Sequence, residues 1–362
     1  MAMSRILKIA ALPVLAFGLV LGYQSVSGKS EKKSSRVFSP AFVTVASYNV
    51  ENWGKTGRVI NKKKVVAMKP ANEQEAVATI LKKINPDVLG LMEILRDPKD
   101  ENIKSVRKTL KEAGLNYPYM TTVVGDDERI QNLLLSRLPI TSTKALNDDA
   151  FSLNVRQQIE GKWRVGKITR RVERGFIDAV IKVNPSYQLE IMVAHLKSKR
   201  PVHEFNDPRT HEFGEDVIRR NEALILRSHM MDRYKENPEV NLLVMGDFND
   251  VPTSASSRTV LGNSYDSVLT HQLPLKDYLG DQWTHFYSEE KAYHVIDYMF
   301  ASEGLMMEFV PEKSYVYREK SSDSANLAWA SASDHRPIVA TFWATNIALT
   351  PTNTQKMAKA LN

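Results

Sequence analysis

The chain of 362 residues contains no cysteine, so it cannot rely on disulfide bonds and cannot carry a lipid anchor on cysteine. It also has no internal repeat and no low-complexity domain. With 43% hydrophobic residues, the chain is long enough to bury a large core. Its length would permit two domains, although layered α/β folds of this size often form one.

Long apolar runs are scarce, and the most prominent one lies at the N-terminus. Arg5 and Lys8 precede the run IAALPVLAFGLVLG (residues 9–22), and small polar residues follow it. A membrane span needs about 20 apolar residues, so the pattern favours a secretory signal cleaved near Ser27 or Gly28. We therefore predict a signal peptide at residues 1–28 and a secreted or periplasmic protein with no stable membrane insertion after processing. The alternative is an uncleaved N-terminal membrane anchor.

Net charge is also small outside the N-terminal region. Of the total of +7, residues 1–28 contribute +2 and the basic linker at residues 29–41 contributes +3. Only +2 remains for the other residues. Bulk charge therefore supports a polyanionic partner only weakly.

Helical and strand patterns alternate from residue 42 to residue 345, which indicates one α/β domain followed by a polar tail at residues 346–362. Apolar residues at helical spacing predict helices over 72–84, 101–114 and 214–236, and Asn72 with Glu75 forms a helix-start pattern. Several runs that are apolar on both faces predict strands covered on both sides. The predicted strands are 42–50, 87–94, 132–137, 175–183, 189–196, 241–248, 295–302 and 337–343. Residues 144–170 and 199–215 are expected to form long loops near a site.

Polar side chains recur where these predicted strands begin or end. Each has an ordinary structural explanation, because Asn and Asp favour turns and a lone His is often a core residue. Asp297 is harder to explain, since an unpaired carboxylate inside an apolar run would cost several kcal/mol. Turn chemistry does not account for a whole set restricted to groups that bind hard cations and move protons. The set comprises Asn49, Glu93, His195, Asp247, Asn249, Asp297, Asp334 and His335.

The segments around these residues resemble the endonuclease/exonuclease/phosphatase superfamily, the metal-dependent phosphoesterases that are similar to deoxyribonuclease I. In order along the chain they are YNVEN, PDVLGLMEI, LLLSRLPI, AHLKSK, GDFNDVPTS, IDYMF and SDHRPI. The resemblance implies a four-layer α/β sandwich, in which two mixed β-sheets pack face to face with helices on the outer faces. Some members of the superfamily are bacterial extracellular nucleases, and AHLKSK after an export signal is most similar to these.

The resemblance also implies roles for the residues. Glu93, Asn49 and Asp334 would lie at a divalent cation, and oxygen ligands without cysteine favour Mg²⁺, Mn²⁺ or Ca²⁺ over zinc. Asp247 would position or deprotonate the attacking water, and Asn249 would hold the water or the phosphate. The remaining catalytic residues would be His335, oriented by Asp297, and His195 on the leaving-group side.

Basic residues near the motifs are candidates for contact with substrate phosphate. Arg174 and Lys197 are the first choices, followed by Lys199, Arg200 and Arg170. A solvated loop charge is the ordinary alternative for each of them. His203 and His211 could bind a metal, but their spacing fits no strong ligand pattern, so a surface loop is the simpler reading.

The expected function is that of an exported, monomeric, metal-dependent phosphodiesterase, a nuclease of low sequence specificity acting on DNA or RNA. One alternative is a phosphomonoesterase or a phospholipase C-type enzyme of the sphingomyelinase kind, which would carry an exposed aromatic hairpin; QWTHFY (282–287) is the one aromatic cluster that resembles this. A remote alternative is a catalytically inactive binding protein. Such a protein should have lost Glu93, Asp247, Asn249 or His335, and all four are present.

Overall fold

The structure is a computed structural model that describes residues 42–60, 63–202, 214–262, 268, 270–320 and 332–344. The predicted signal peptide, the basic linker and the C-terminal tail lie outside the described residues. None of the helices in the described part is both long and apolar enough to cross a membrane.

The described part contains strands and helices in the following order. They are β1 (Phe42–Trp53), β2 (Thr56–Ile60), β3 (Lys63–Ala67), α1 (Ala71–Ile84), β4 (Val88–Leu95), α2 (Glu101–Glu112), β5 (Tyr119–Val123), β6 (Ile130–Ser136), β7 (Ile140–Leu146), β8 (Ala150–Ile159), β9 (Lys162–Arg171), β10 (Phe176–Asn184), β11 (Tyr187–His195), α3 (Gly214–Glu236), β12 (Leu242–Asp247), α4 (Ala255–Leu261), β13 (Thr270–Gln272), β14 (His285–Tyr287), β15 (Ala292–His294), β16 (Asp297–Ser302), α5 (Glu303–Met307), β17 (Tyr315–Val316) and β18 (Ile338–Trp343).

Two six-stranded sheets lie at the centre of the fold. The first has the order β17-β18-β1-β4-β6-β5, and the second has the order β13-β16-β12-β11-β10-β7. Both are mixed, because β1 runs parallel to β4 and β11 runs parallel to β12 while the remaining pairs are antiparallel. Three two-stranded hairpins, β2–β3, β8–β9 and β14–β15, stand apart from these sheets.

The main core lies between the two sheets. Alternate residues of the first sheet, such as Val43 and Val45, pack against alternate residues of the second, such as Ile191, Val193 and Met245, and all are buried. This period of two is the geometry of a pleated strand, whose successive side chains point to opposite faces.

The opposite faces of both sheets are covered by helices. On the first sheet, Leu89 and Leu91 pack with residues of α1 and α2; on the second sheet, Val244 and Phe300 pack with residues of α3 and α4. These strands are apolar on both sides because each faces a buried layer. The four-layer α/β sandwich predicted from the sequence is confirmed, and the eight predicted strands and three predicted helices are present with ends shifted by a few residues.

Two local expectations are wrong. The helix at α1 begins at Ala71 with Pro70 as its N-cap and no side-chain cap bond, so Asn72 lies inside the first turn. Residues 144–170 are not a long loop: β7 ends at Leu146, and β8 and β9 form an extended hairpin. Among the side chains that the structure describes, exposed residues alternate with apolar ones such as Leu153 and Ile168 that pack near the start of α3, so the hairpin is apolar on one face only. The other predicted loop, 199–215, lies largely outside the described residues, and its last two residues begin α3.

Candidate active site

Three neighbouring strands of the second sheet each place a titratable side chain at the same end of the sheet. His195 ends β11, Asp247 ends β12 and Asp297 begins β16. In the strand register His195 pairs with Asp247, and Asp247 pairs with Asp297. Side chains of directly paired residues project from the same face of a sheet, so the register itself brings the three groups together.

His335 joins this row from the other sheet, on the segment that leads into β18. Its Nδ1 lies 2.9 Å from Asp297 Oδ2, and its Nε2 lies 3.7 Å from Asp247 Oδ2. Ser333 fixes the segment: its hydroxyl donates to the Asn49 carbonyl and accepts the His335 amide. The pairing of Asp297 with His335 is therefore present, and both side chains are buried.

These contacts shift the pKa values of the group. Burial alone opposes protonation of His335, but the carboxylates of Asp297 and Asp247 outweigh it and hold the His335 pKa well above its ordinary value. Burial, reinforced by the charge of Asp297, raises the pKa of Asp247 to about 7. Burial lowers the pKa of His195 well below its ordinary value, with a further contribution from Arg174. These shifts favour a protonated His335 and a neutral His195 at neutral pH.

Two asparagines hold Asp247 in place, Asn49 through its side chain and Asn249 through its backbone amide. Asn49 donates from Nδ2 to Asp247 Oδ2 over 3.0 Å, and the backbone amide of Asn249 donates to Asp247 Oδ1 over 2.8 Å. Asn249 also donates from Nδ2 to the Leu196 carbonyl, beside His195. Asn249 has a φ of +53°, a left-handed conformation that turns the chain sharply after β12.

A group of carboxylates lies on the first-sheet side of these residues. Glu93 accepts a hydrogen bond from the Asn52 amide, and Glu51 is bonded through its own amide to Asn49 Oδ1. Burial raises the pKa of Glu51, and the negative charges of Asp334 and Glu93 raise it further. Negative charges that raise the pKa of a neighbouring carboxyl in this way are charges that a bound cation would stabilise.

Glu51 and His285 belong to the site although they were absent from the predicted set. Glu51 follows Asn49 by two residues in YNVEN, so its proximity to the predicted metal position could have indicated it. His285 begins β14, and its Nε2 lies 3.6 Å from Asp334 Oδ2. Its ring centroid is 4.6 Å from that of His335. His285 lies in QWTHFY, which the sequence marked only as an aromatic cluster; a backbone bridge to His335 brings it against Asp334.

The candidate phosphate contacts lie beside His195 but are already engaged. Arg174 donates to the Leu196 carbonyl and pairs with Asp127. Lys197 donates from Nζ to the Ser198 and Arg200 carbonyls. Arg174 and Lys197 are each only 6% exposed. Both remain predictions as phosphate ligands.

The other basic and histidine candidates are placed as follows. Lys199 and Arg200 are exposed on the loop after His195, and Arg170 pairs with Glu173. His203 and His211 lie outside the described residues.

The residues present fit a divalent cation of the hard type. Carboxylate and amide oxygens from Glu93, Glu51, Asp334 and Asn49 are the donors that Mg²⁺, Mn²⁺ and Ca²⁺ prefer. Two compact groups of ligand atoms also occur in the described part, one of His285, Asp334 and His335 and one of Asp247, Asp297 and His335. Both include His335, and a protonated imidazole has no free lone pair for a metal. Glu93, Glu51 and Asp334 do not form a compact group of this kind in the described part, so their role as cation ligands remains a prediction.

Comparisons with known proteins agree with the fold. Residues 66–335 match the model of the endonuclease/exonuclease/phosphatase family, and the chain belongs to this family. Its members hydrolyse phosphate esters and generally use a divalent metal. No curated protein sequence matches the chain significantly.

Solved structures resemble the chain at low sequence identity. The human Nocturnin catalytic domain with bound sulfate is 16% identical, covers 84% of this chain and 95% of its own, and has a TM-score of 0.52. TDP2 from Caenorhabditis elegans is 16% identical over 84% of this chain and 74% of its own, with a TM-score of 0.51. The endonuclease/exonuclease/phosphatase from Beutenbergia cavernae is 15% identical over 86% of this chain and 74% of its own, also with a TM-score of 0.51. At this identity the likeness establishes the fold.

Proposed function

We propose that the protein is a divalent-metal-dependent phosphodiesterase that cleaves nucleic acid with low sequence specificity. The observation that carries the proposal is the buried row Asp297–His335–Asp247, in which a 2.9 Å contact to Asp297 holds His335 protonated. An imidazolium next to a carboxylate that titrates near neutrality provides both a cation for the phosphoryl group and a base for water.

In this proposal, water attacks phosphorus while the bond from phosphorus to the leaving oxygen breaks. Asp247 takes the proton from the water, and that proton returns through solvent to the leaving oxygen. Asn49 and Asn249 orient Asp247 and the water, and His335 donates to a phosphoryl oxygen. His195, neutral because of its lowered pKa, donates a hydrogen bond on the leaving-group side.

Glu93, Glu51, Asp334 and Asn49 would hold the divalent cation, most simply Mg²⁺. When bound, the cation supplies positive charge that offsets charge developing on the phosphoryl oxygens. The imidazolium of His335 alone would leave much of that charge uncompensated.

A phospholipase C-type hydrolase is the second candidate, and one observation favours it. The β14–β15 hairpin carries Tyr293, which is 59% exposed, in contact with Trp283 and Phe286. This aromatic hairpin lies directly beside the site through His285.

A substrate panel tests the proposal. Purified protein would be assayed on plasmid DNA, RNA, bis-p-nitrophenyl phosphate, p-nitrophenyl phosphate and sphingomyelin vesicles, each with Mg²⁺ and with chelator. We expect cleavage of polynucleotide and of the small diester only with metal. Preference for the monoester, or for sphingomyelin, would contradict the proposal and favour the alternatives.

We also propose that residues 1–28 direct export and are removed, giving a secreted or periplasmic monomer. The short apolar run followed by small polar residues supports this. Mass spectrometry of protein made in a Gram-negative host should find an N-terminus near residue 29. An intact Met1 in the membrane fraction would instead indicate an anchor.

A further inference from the structure

Positive charge is concentrated in two hairpins of the described structure. The β2–β3 arm (residues 55–67) contains five basic residues and no acidic residue, and the β8–β9 arm (residues 150–171) contains six basic residues and one acidic residue. Each arm therefore carries +5. Residues 37–362 together carry only +2, so the chain outside the arms and after residue 36 has a net charge of −8. The small net charge of residues 37–362 is therefore the sum of two strongly basic arms and a negatively charged remainder.

The β2–β3 arm adjoins the carboxylate side of the site. It continues directly from β1, whose last residues follow Asn49 and Glu51. Arg58 donates to the Asn52 carbonyl over 2.8 Å, and the Asn52 amide donates to Glu93. The arm is closed at its base by a backbone bond from Lys69 to Gly54. Lys55, Lys63 and Lys64 are exposed on it.

The β8–β9 arm adjoins the His195 side of the site. Its inner face packs through Leu153 and Ile168 against the start of α3 and against Val202, which follows the loop after His195. The arm runs directly into Arg174, whose guanidinium donates to the Leu196 carbonyl. Lys162, Arg164, Lys167 and Arg171 are exposed on it.

We propose that the two arms form a clamp that binds backbone phosphates on both sides of the scissile phosphate. This inference rests on the proposed function and specifies its substrate as an extended polynucleotide rather than a small diester. A polyanion would be attracted to the two basic arms and repelled by the rest of the molecule, which is negatively charged. It would therefore bind only along the line that joins the two arms. Because the arms contact phosphates and not bases, cleavage would show little sequence preference.

Three variants, each lacking three exposed cations, test the clamp. The first replaces Lys55, Lys63 and Lys64 by Gln in the β2–β3 arm; the second replaces Lys162, Arg164 and Lys167 by Gln in the β8–β9 arm. The matched control replaces Lys104, Arg107 and Lys108 by Gln on α2, which lies in the helical layer over the first sheet and exposes these side chains. For each variant, kcat/KM would be measured on long polynucleotide and on bis-p-nitrophenyl phosphate between 50 and 200 mM salt.

We expect each arm variant to lower the ratio of polynucleotide to small-diester activity at least 10-fold at low salt. The slope of log kcat/KM against log salt should also become shallower by about 2 to 3, since each phosphate contact releases a counterion. The α2 control should keep the wild-type ratio and slope. If only one arm variant lowers the activity ratio, the two-sided clamp is wrong. If both arm variants keep the activity ratio and salt slope of the α2 control, neither arm contacts the substrate.

Two further outcomes separate this inference from the proposed function. Wild-type protein that cleaves the small diester but no polynucleotide would refute the nuclease itself. If polynucleotide cleavage is unchanged in the arm variants but binding to vesicles of anionic phospholipid is lost, the arms contact a membrane surface and the clamp is wrong.

Discussion

At the scale of single residues, the site depends on how carboxylates set the protonation of His335. Asp297 lies 2.9 Å from one ring nitrogen and Asp247 lies 3.7 Å from the other. A carboxylate that orients a catalytic imidazole also fixes which nitrogen carries a proton toward the substrate. The apolar run around Asp297 predicted a partner for it, and the structure places His335 there.

Replacing Asp297 by Asn should therefore keep the fold but lower kcat about 100-fold, because the imidazole loses the charge that holds it protonated. The double variant with His335→Ala should be little slower than His335→Ala alone, since groups that act as a unit are not additive. Steady-state kinetics on bis-p-nitrophenyl phosphate would measure both effects, with the exposed Asp148→Asn as a control. Multiplicative losses, or full activity of Asp297→Asn, would show that the pair does not act together.

Asp247 should make the stability of the metal-free protein fall as pH rises. Its pKa is about 7 in the folded protein against an ordinary value of 3.8, so between pH 4 and 6 the unfolded chain releases a proton that the folded protein retains. A raised carboxyl pKa adds stability at low pH that is lost as pH rises toward the folded value.

The variant Asp247→Asn lacks this titration. In EDTA, its unfolding free energy relative to wild type should therefore increase from pH 4 to pH 6, by about 2 kcal/mol. Urea denaturation at both pH values would measure the difference. A constant difference across this range would mean that Asp247 titrates near its ordinary pKa.

At the scale of elements, the buried strands could be predicted because they are apolar on both faces, and their polar ends indicated the site. The β8–β9 hairpin was missed because it is apolar on one face only: Phe151 and Leu153 alternate with polar residues and pack near the start of α3. The sequence of its turn did carry a signal, Gly161 after Glu160. In the structure Gly161 and Glu160 have φ values of +74° and +51°, as a two-residue hairpin turn requires.

Gly246 is the position where the approach of two strands allows no side chain. A Cβ there would lie 1.7 Å from the Ala194 carbonyl oxygen, and the residue has a φ of +146°. Gly246→Ala should push β12 away from β11 and destabilise the protein by at least about 3 kcal/mol. Gly304→Ala is the control, because its nearest neighbour would lie at 3.6 Å. Thermal unfolding would compare them, and equal melting temperatures would contradict the steric argument.

At the scale of the whole molecule, the sequence predicted the layers but not the separation of charge. Summed over the chain after residue 36, the charge of +2 suggests few phosphate contacts. Basic residues are instead concentrated in the two arms, and β1, β4 and the segment before β18 each bring one carboxylate to the site. Glu51 could have been assigned to the site from its spacing to Asn49, but His285 could not, because its bridge to His335 joins segments far apart in the chain.

The carboxylates of the site also predict how the protein responds to loss of metal. Removing divalent cations leaves the negative charges of Glu51, Glu93 and Asp334 only partly compensated. EDTA should therefore abolish hydrolysis and lower the melting temperature. Adding Mg²⁺ or Mn²⁺ should restore both. Glu93→Gln should raise the Mg²⁺ concentration for half-maximal rate about 10-fold or more, because fewer charged ligands weaken cation binding. The exposed Glu112→Gln should leave that concentration unchanged. Metal titrations of rate and of melting temperature should shift together in Glu93→Gln. Hydrolysis that survives exhaustive chelation would show that these carboxylates do not bind a cation that the reaction needs.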